Sequence, residues 1–150
     1  MKLITRDTDY AIRAVCCIAK NKNEIVSVSE LIKCLKIPGP FLRKILQALN
    51  KCGLLLSFKG PCGGFRLNKP ADKIFITDIM QVFQGPFIFC EHTFKSKPCH
   101  DIKKCIFKKK LDIIGLYVKR ELNNISIADL ISGYSQKGGR LNVRRFKTKG

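Results

Sequence analysis

Three cysteines and both of the chain's histidines stand within residues 90–105, as Cys90, His92, Cys99, His100 and Cys105, with Glu91 and Asp101 among them. Thiolates are the usual ligands of zinc and of iron-sulfur clusters, and imidazole and carboxylate groups can complete such a set. The segment has no helical or strand periodicity, so it reads as a loop, and a loop lets three sulfurs converge where one helix face could not. Lys95, Lys97, Lys103 and Lys104 give it a positive field that favours thiolate over thiol. Cys105 opens a long helical pattern, where the helix dipole favours an anionic side chain. The plain alternative is a reduced loop with idle cysteines. Unbound thiols are more often buried as small hydrophobes than clustered among lysines, so metal ligation is the stronger reading.

The rest of the chain must position that loop. Its 150 residues suit one compact unit or a small domain with an appendage. Lys and Arg number 29 against 11 Asp and Glu, a formal charge of +18 that points to a polyanion, with nucleic acid as the first expectation. A membrane surface is the alternative, but there is no run of about 18 apolar residues and no separate basic amphipathic anchor. Met1-Lys2-Leu3-Ile4 leads into no signal-peptide pattern, so a cytoplasmic location is expected. In that compartment eight cysteines point to metal or thiol chemistry rather than to disulfides. Cys16, Cys17, Cys34 and Cys52 fall in or at the end of helical patterns and are expected to be packed and inert. Cys62, at a Gly-rich turn, is expected to be exposed and open to oxidation. No nucleophile is paired with a base, which argues against an enzyme.

Residues 6–20 predict a first helix capped by Thr5, with an apolar face of Ala11, Ala14, Val15, Ile18 and Ala19 wide enough to be buried on more than one side. Ser27 and Glu30 form a capping box that starts a short helix carrying Val28, Leu31, Ile32 and Leu35. Pro38-Gly39-Pro40 turns the chain into another helix, which carries Leu42, Ile45, Leu46 and Leu49 and ends at Gly53. This is a helix-turn-helix pattern whose second helix leaves Arg43, Lys44, Gln47 and Lys51 off the apolar face. Residues 54–58 and 65–67 predict strands around the turn Lys59-Gly60-Pro61-Cys62-Gly63-Gly64, a β-hairpin wing whose glycines allow close approach to a backbone and which Lys59 and Arg66 flank. A helix over residues 77–84, capped by Thr77, precedes the cysteine loop. The longest helix, residues 104–122, carries Phe107, Leu111, Ile114, Val118 and Leu122 on one stripe, more apolar surface than one winged domain needs, which predicts pairing with a second copy. Ser126 and Asp129 start a last helix expected to end before Gly133, and residues 136–150 read as a basic disordered tail. The expected fold class is mainly α with a small β-hairpin wing: a winged helix-turn-helix plus a long dimerisation helix. The expected divisions are residues 1–84 for DNA binding, 85–135 for the cluster loop and dimer helix, and 136–150 for the tail.

This order of parts resembles the bacterial winged helix-turn-helix iron-sulfur transcriptional regulators that include IscR, NsrR and RirA, over residues 1–133. The resemblance rests on Ile37-Pro38-Gly39-Pro40-Phe41-Leu42-Arg43-Lys44-Ile45-Leu46, Gly53-Leu54, the wing residues 59–67 and Leu122-Asn123-Asn124-Ile125-Ser126. The cysteines, spaced C-x8-C-x5-C, are similar to that family's cluster-binding set, with a longer first interval. The resemblance implies a homodimeric repressor on promoter DNA whose long helices pair. It also implies that Cys90, Cys99 and Cys105 hold a 2Fe-2S or 4Fe-4S cluster and that iron, nitric oxide or redox state is sensed. Arg43, Lys44 and Gln47 would enter the major groove, with Lys59, Gly60, Gly63, Gly64 and Arg66 of the wing toward the minor groove and phosphates. Two positions depart from the family. Lys108 stands where IscR-like members have a histidine ligand, leaving Asp9, which matches the NsrR-like carboxylate, as candidate fourth ligand, with His100, His92, Asp7 or a small molecule as alternatives. Cys62 stands where glycine is usual. Rival readings are a cluster-free regulator using a thiol switch or small ligand, and a zinc-stabilised adaptor for nucleic acid or protein.

Overall fold

The computed structural model describes residues 3–21, 24–88, 93–94, 97–98 and 103–135. Cys90, His92, Cys99, His100 and the basic tail lie outside the described residues. Helix α1 is Arg6–Lys20, with the Thr8 amide donating to Thr5 Oγ1 at its start. Thr8, Ala11, Ala14, Val15, Cys16 and Ile18 are all buried, the wide face its sequence predicts. That face serves as the hub of the fold. Helices α2 (Val28–Leu35), α3 (Gly39–Lys51), α4 (Ile76–Gln84) and α6 (Ile127–Ser135) all pack on it, as does strand β2 (Gly64–Leu67).

The α2 start follows the capping-box expectation in full: the Glu30 amide donates to Ser27 Oγ at 3.2 Å, and the Ser27 amide donates to Glu30 Oε2 at 2.7 Å. Pro40 lies in the first turn of α3, where a missing amide costs nothing, and Leu42, Ile45, Leu46 and Leu49 are buried below. Gly53, at φ +74°, turns the chain out of α3 and into strand β1 (Leu55–Phe58). Strands β1 and β2 pair antiparallel from Leu55 opposite Leu67 to Phe58 opposite Gly64. Val26 extends this hairpin by exchanging two 2.9 Å backbone hydrogen bonds with Phe65, so the wing is anchored to the segment before α2.

Helix α4 begins one residue before Thr77 and is not capped by it. The Asp78 carboxylate reaches back to accept from the Phe75 amide at 2.9 Å, so the first turn closes around Phe75. At its other end, Gln84 Oε1 accepts from Thr8 Oγ1 at 2.7 Å and from the Thr5 amide at 3.0 Å, while its Nε2 donates to the Leu3 carbonyl. One glutamine thus satisfies the start of α1 from 76 residues away and gives the buried Thr8 hydroxyl a partner.

The described backbone between α4 and the next helix includes two short antiparallel strands, β3 (Thr93–Phe94) and β4 (Lys97–Pro98). Helix α5, Ile106–Asn123, packs against α4. Within its predicted stripe Leu111, Val118 and Leu122 are half-buried, near the buried Gly115, whereas Phe107 and Ile114 are exposed, as are Ile106, Ile113 and Leu116 outside the stripe. Ser126 and Asp129 then cap α6, whose Ile127 is fully buried in the common core. The helix runs through Gly133 instead of stopping there. Docking on α1 outweighs the roughly 1 kcal/mol that a mid-helix glycine costs.

Hydrogen bonds from the Ser27 side chain and amide hold the Glu30 carboxyl below its ordinary range, and Ser126 does the same for Asp129. A carboxyl depressed in the folded state stabilises fully above its unfolded pKa, and that contribution disappears as pH falls through the folded value. Thermal midpoints are therefore expected to fall more steeply below about pH 4 in the natural protein than in a Glu30→Gln, Asp129→Asn double variant. Parallel slopes would show that the two caps do not titrate with folding.

Candidate nucleic-acid interface and cysteine site

Side chains of α3 that miss the core must face solvent. Arg43 and Lys44 are exposed, as is Gln47 one helical turn further on, away from the buried Leu42, Ile45, Leu46 and Leu49. Arg43 and Lys44 take no part in the ion pairs of Arg13 with Asp9 and of Lys108 with Asp112. The hairpin turn that follows presents Lys59 and Gly60 to solvent, while the Arg66 guanidinium lies 5.2 Å from the Phe58 ring centroid, which fixes a long side chain along the wing.

The three wing glycines are not equivalent. A Cβ on Gly63 would stand 2.4 Å from the Phe58 carbonyl oxygen, and one on Gly64 would stand 2.2 Å from that of Val26. The chain's own backbone requires both. Gly60, at φ +103° with nothing within 4 Å, is the open one.

In the cysteine segment, Cys105 is the described member of the candidate trio. It occupies the cap of α5, half-buried, and its Sγ accepts the Lys108 amide at 3.4 Å. Amide donation into sulfur at a helix start suits an anionic ligand, so this residue fits the role that a thiolate-bound metal or cluster requires. The ammonium of Lys108 is paired with Asp112 one turn further along α5. Asp9 sits in the first turn of α1, half-exposed, and its Oδ2 accepts from Arg13 Nε at 3.0 Å.

Of the four helical cysteines expected to be packed, Cys16 is buried and Cys17 partly so, but Cys34 and Cys52 are exposed. Cys34 comes one turn after Leu31, the fully buried residue of α2, and near the end of a helix too short to bury a second ring of side chains. Cys52 follows the last turn of α3, where the chain leaves the core. Cys62 is exposed, as expected of the wing turn. The contact of Cys17 with Cys34 and the Gln84 latch were both missed, since each joins residues from separate elements with no periodic signal.

A helix-turn-helix followed by a β-hairpin wing, with a basic exposed face on its second helix, defines the winged-helix class of DNA-binding transcriptional regulators. The family described as Rrf2, iron-dependent transcriptional regulator, matches residues 4–133. The chain belongs to the Rrf2 family. An HTH-type transcriptional regulator of Aquifex aeolicus (strain VF5) is 34% identical over 125 residues, covering 82% of this chain and 87% of the relative. Among solved structures the fold is similar to CymR, the global cysteine regulator of B. subtilis, at TM-score 0.70 and 22% identity, covering 89% of this chain and 98% of that one. It is equally similar to T. potens IscR, at TM-score 0.70 and 19% identity, covering 93% and 94%. No described helix is long and apolar enough to cross a membrane.

Proposed function

We propose that the protein is a homodimeric repressor whose promoter affinity is governed by an iron-sulfur cluster held by Cys90, Cys99 and Cys105, with Asp9 of the partner subunit as fourth ligand. The observation that carries this reading is the position of Cys105. Its sulfur caps the helix on which Ile106, Phe107, Ile113 and Leu116 are exposed, so the cysteine segment and the expected subunit contact share one rigid element. A bound cluster would supply a centre that iron availability, nitric oxide or redox state can add, remove or alter. The chain's own residues do the rest. The Lys108 amide orients the Cys105 sulfur, and Arg13 holds the Asp9 carboxylate on the α1 surface. His100 remains the less favoured fourth ligand.

Arg43, Lys44 and Gln47 would read base edges in the major groove, Arg toward guanine and Gln toward adenine. Lys59, Gly60 and Arg66 would meet phosphates and the minor groove, with Gly63 and Gly64 keeping the wing slim enough to lie there. In functional terms residues 1–84 grip DNA, 85–135 sense and dimerise, and 136–150 add nonspecific attraction. A cluster-linked change in α5 spacing needs a coupling of only about 1–3 kcal/mol to switch occupancy.

Anaerobic purification followed by gel shifts of cluster-loaded and metal-free protein at one salt concentration tests the proposal. Brown protein with bound iron and sulfide is expected, with promoter affinity that differs between the two forms. The Cys90→Ser, Cys99→Ser, Cys105→Ser variant should be colourless and fixed in the metal-free behaviour. Colourless natural protein with stoichiometric zinc would instead support the adaptor. A second reading keeps DNA binding and replaces the cluster by a thiol switch. Similarity to a regulator of cysteine favours it, and metal-free protein whose promoter affinity follows oxidant would establish it.

A further inference from the structure

Two thiols far from the cysteine segment are in contact. The Cys17 S–H donates to Cys34 Sγ at 2.8 Å, joining α1 to the last turn of α2. Cys17 is half-buried at the edge of the core, whereas Cys34 faces solvent. Burial pushes the Cys17 thiol up to about 12, and the hydrogen bond to Cys34 adds to the rise. In the reduced pair Cys17 therefore keeps its proton and Cys34 is the sulfur that solvent-borne reagents meet. A disulfide places its sulfurs about 2.05 Å apart, so closing the present 2.8 Å needs an approach of only about 0.7 Å.

We propose that Cys17 and Cys34 form a reversible dithiol modification site, oxidised by low-molecular-weight disulfides such as glutathione disulfide, that clips the first helix of the helix-turn-helix to α1. Cys34 gives its proton to solvent and its sulfur attacks one sulfur of the external disulfide, forming a mixed disulfide and releasing the other half, which takes up a proton as a thiol. Cys17 then gives its proton to solvent and attacks Cys34 Sγ, forming the internal bond and releasing the second thiol. Two S–H bonds are lost from the protein, one S–S bond is gained, and the external disulfide is reduced to two thiols. Once Cys34 is in the mixed disulfide it no longer carries a charge that opposes ionisation of Cys17, while burial, the larger effect, remains, and it is the contact of the two sulfurs that favours closure. Cys52 and Cys62 are exposed as well, but no described thiol contacts either, so they should stop at the mixed disulfide.

The site does not depend on a cluster, and the test separates the two. The reduced full chain is treated with glutathione disulfide and mapped by mass spectrometry without reduction, trypsin placing Cys17 in residues 14–20 and Cys34 in residues 34–36. Expected are a 14–20 to 34–36 cross-link and glutathione on Cys52 and Cys62. Cys34 in Cys17→Ser should carry at least about tenfold more glutathione than in the natural protein, because a neighbouring thiol outcompetes one in solution. The cross-link should persist in Cys16→Ser and in the triple serine variant of Cys90, Cys99 and Cys105. Equal glutathione on Cys34 with and without Cys17, or a cross-link made through Cys16, would overturn the proposal. Cys17→Ala, with its fold checked by circular dichroism, replaces Cys17→Ser if the serine does not fold.

Discussion

Gly64→Ala is expected to cost about 3–5 kcal/mol and to detach the wing from the core. The added methyl would stand 2.2 Å from the Val26 carbonyl oxygen and 2.6 Å from its carbon, both backbone atoms that no rotamer change can move. Relief requires Val26 and Phe65 to separate, which breaks the two hydrogen bonds between them and opens the core at two buried side chains. Two other glycines make the comparison sharp. Gly60→Ala meets open space but a φ of +103°, so backbone strain alone should cost about 1–3 kcal/mol. Gly133→Ala lies in a helix with nothing within 4 Å and should stabilise by up to about 1 kcal/mol. Urea denaturation of the three variants gives the ranking. A Gly64→Ala loss no greater than that of Gly60→Ala would mean that the Val26 contact is not rigid.

Charge on the outer face of α5 has the second large expected effect, which rests on the proposed dimer. Ile113 and Leu116 are 61% and 68% exposed, with Ile106 and Phe107 open near the start of the same helix. Such a surface is unusual on a monomer. Replacing Ile113 and Leu116 with glutamate removes their burial from both copies of a two-fold contact, and even one such side chain is worth about 1.5–3 kcal/mol per copy. Association should weaken at least about 100-fold. Sedimentation should show a monomer whose circular dichroism is unchanged, since neither side chain is part of the core. Promoter binding should fall in step, because two linked half-site readers become one. An unchanged dimer in this variant would move the subunit contact off α5.

The helical elements were largely legible because each carries a local signal. Ser27 with Glu30, Ser126 with Asp129 and Thr5 before α1 are caps within one turn of what they cap. The apolar positions of α2 and α3 recur at helical spacing, and the glycines mark the wing. Two helix ends differ, for different reasons. A rival local cap, the Asp78 carboxylate three residues from Phe75, starts α4 at Ile76 in place of Thr77, whereas a long-range contact, docking on α1, carries α6 past Gly133. Along α5 periodicity counts apolar residues without saying which are covered, so it does not separate the half-buried Leu111, Val118 and Leu122 from the exposed Phe107 and Ile114.

Chemistry divides the same way. Residue types and spacing alone established a basic winged helix-turn-helix and a cysteine-rich segment leading into α5, since charge, caps and ligand type are properties of the chain itself. Tertiary structure alone decided that Gly63 and Gly64 answer to the protein's own carbonyls, that Gln84 holds the start of α1, and that Cys17 meets Cys34. Each of those depends on which surfaces come together when α1 is buried on several sides at once, and packing of that kind leaves no period in the sequence to read.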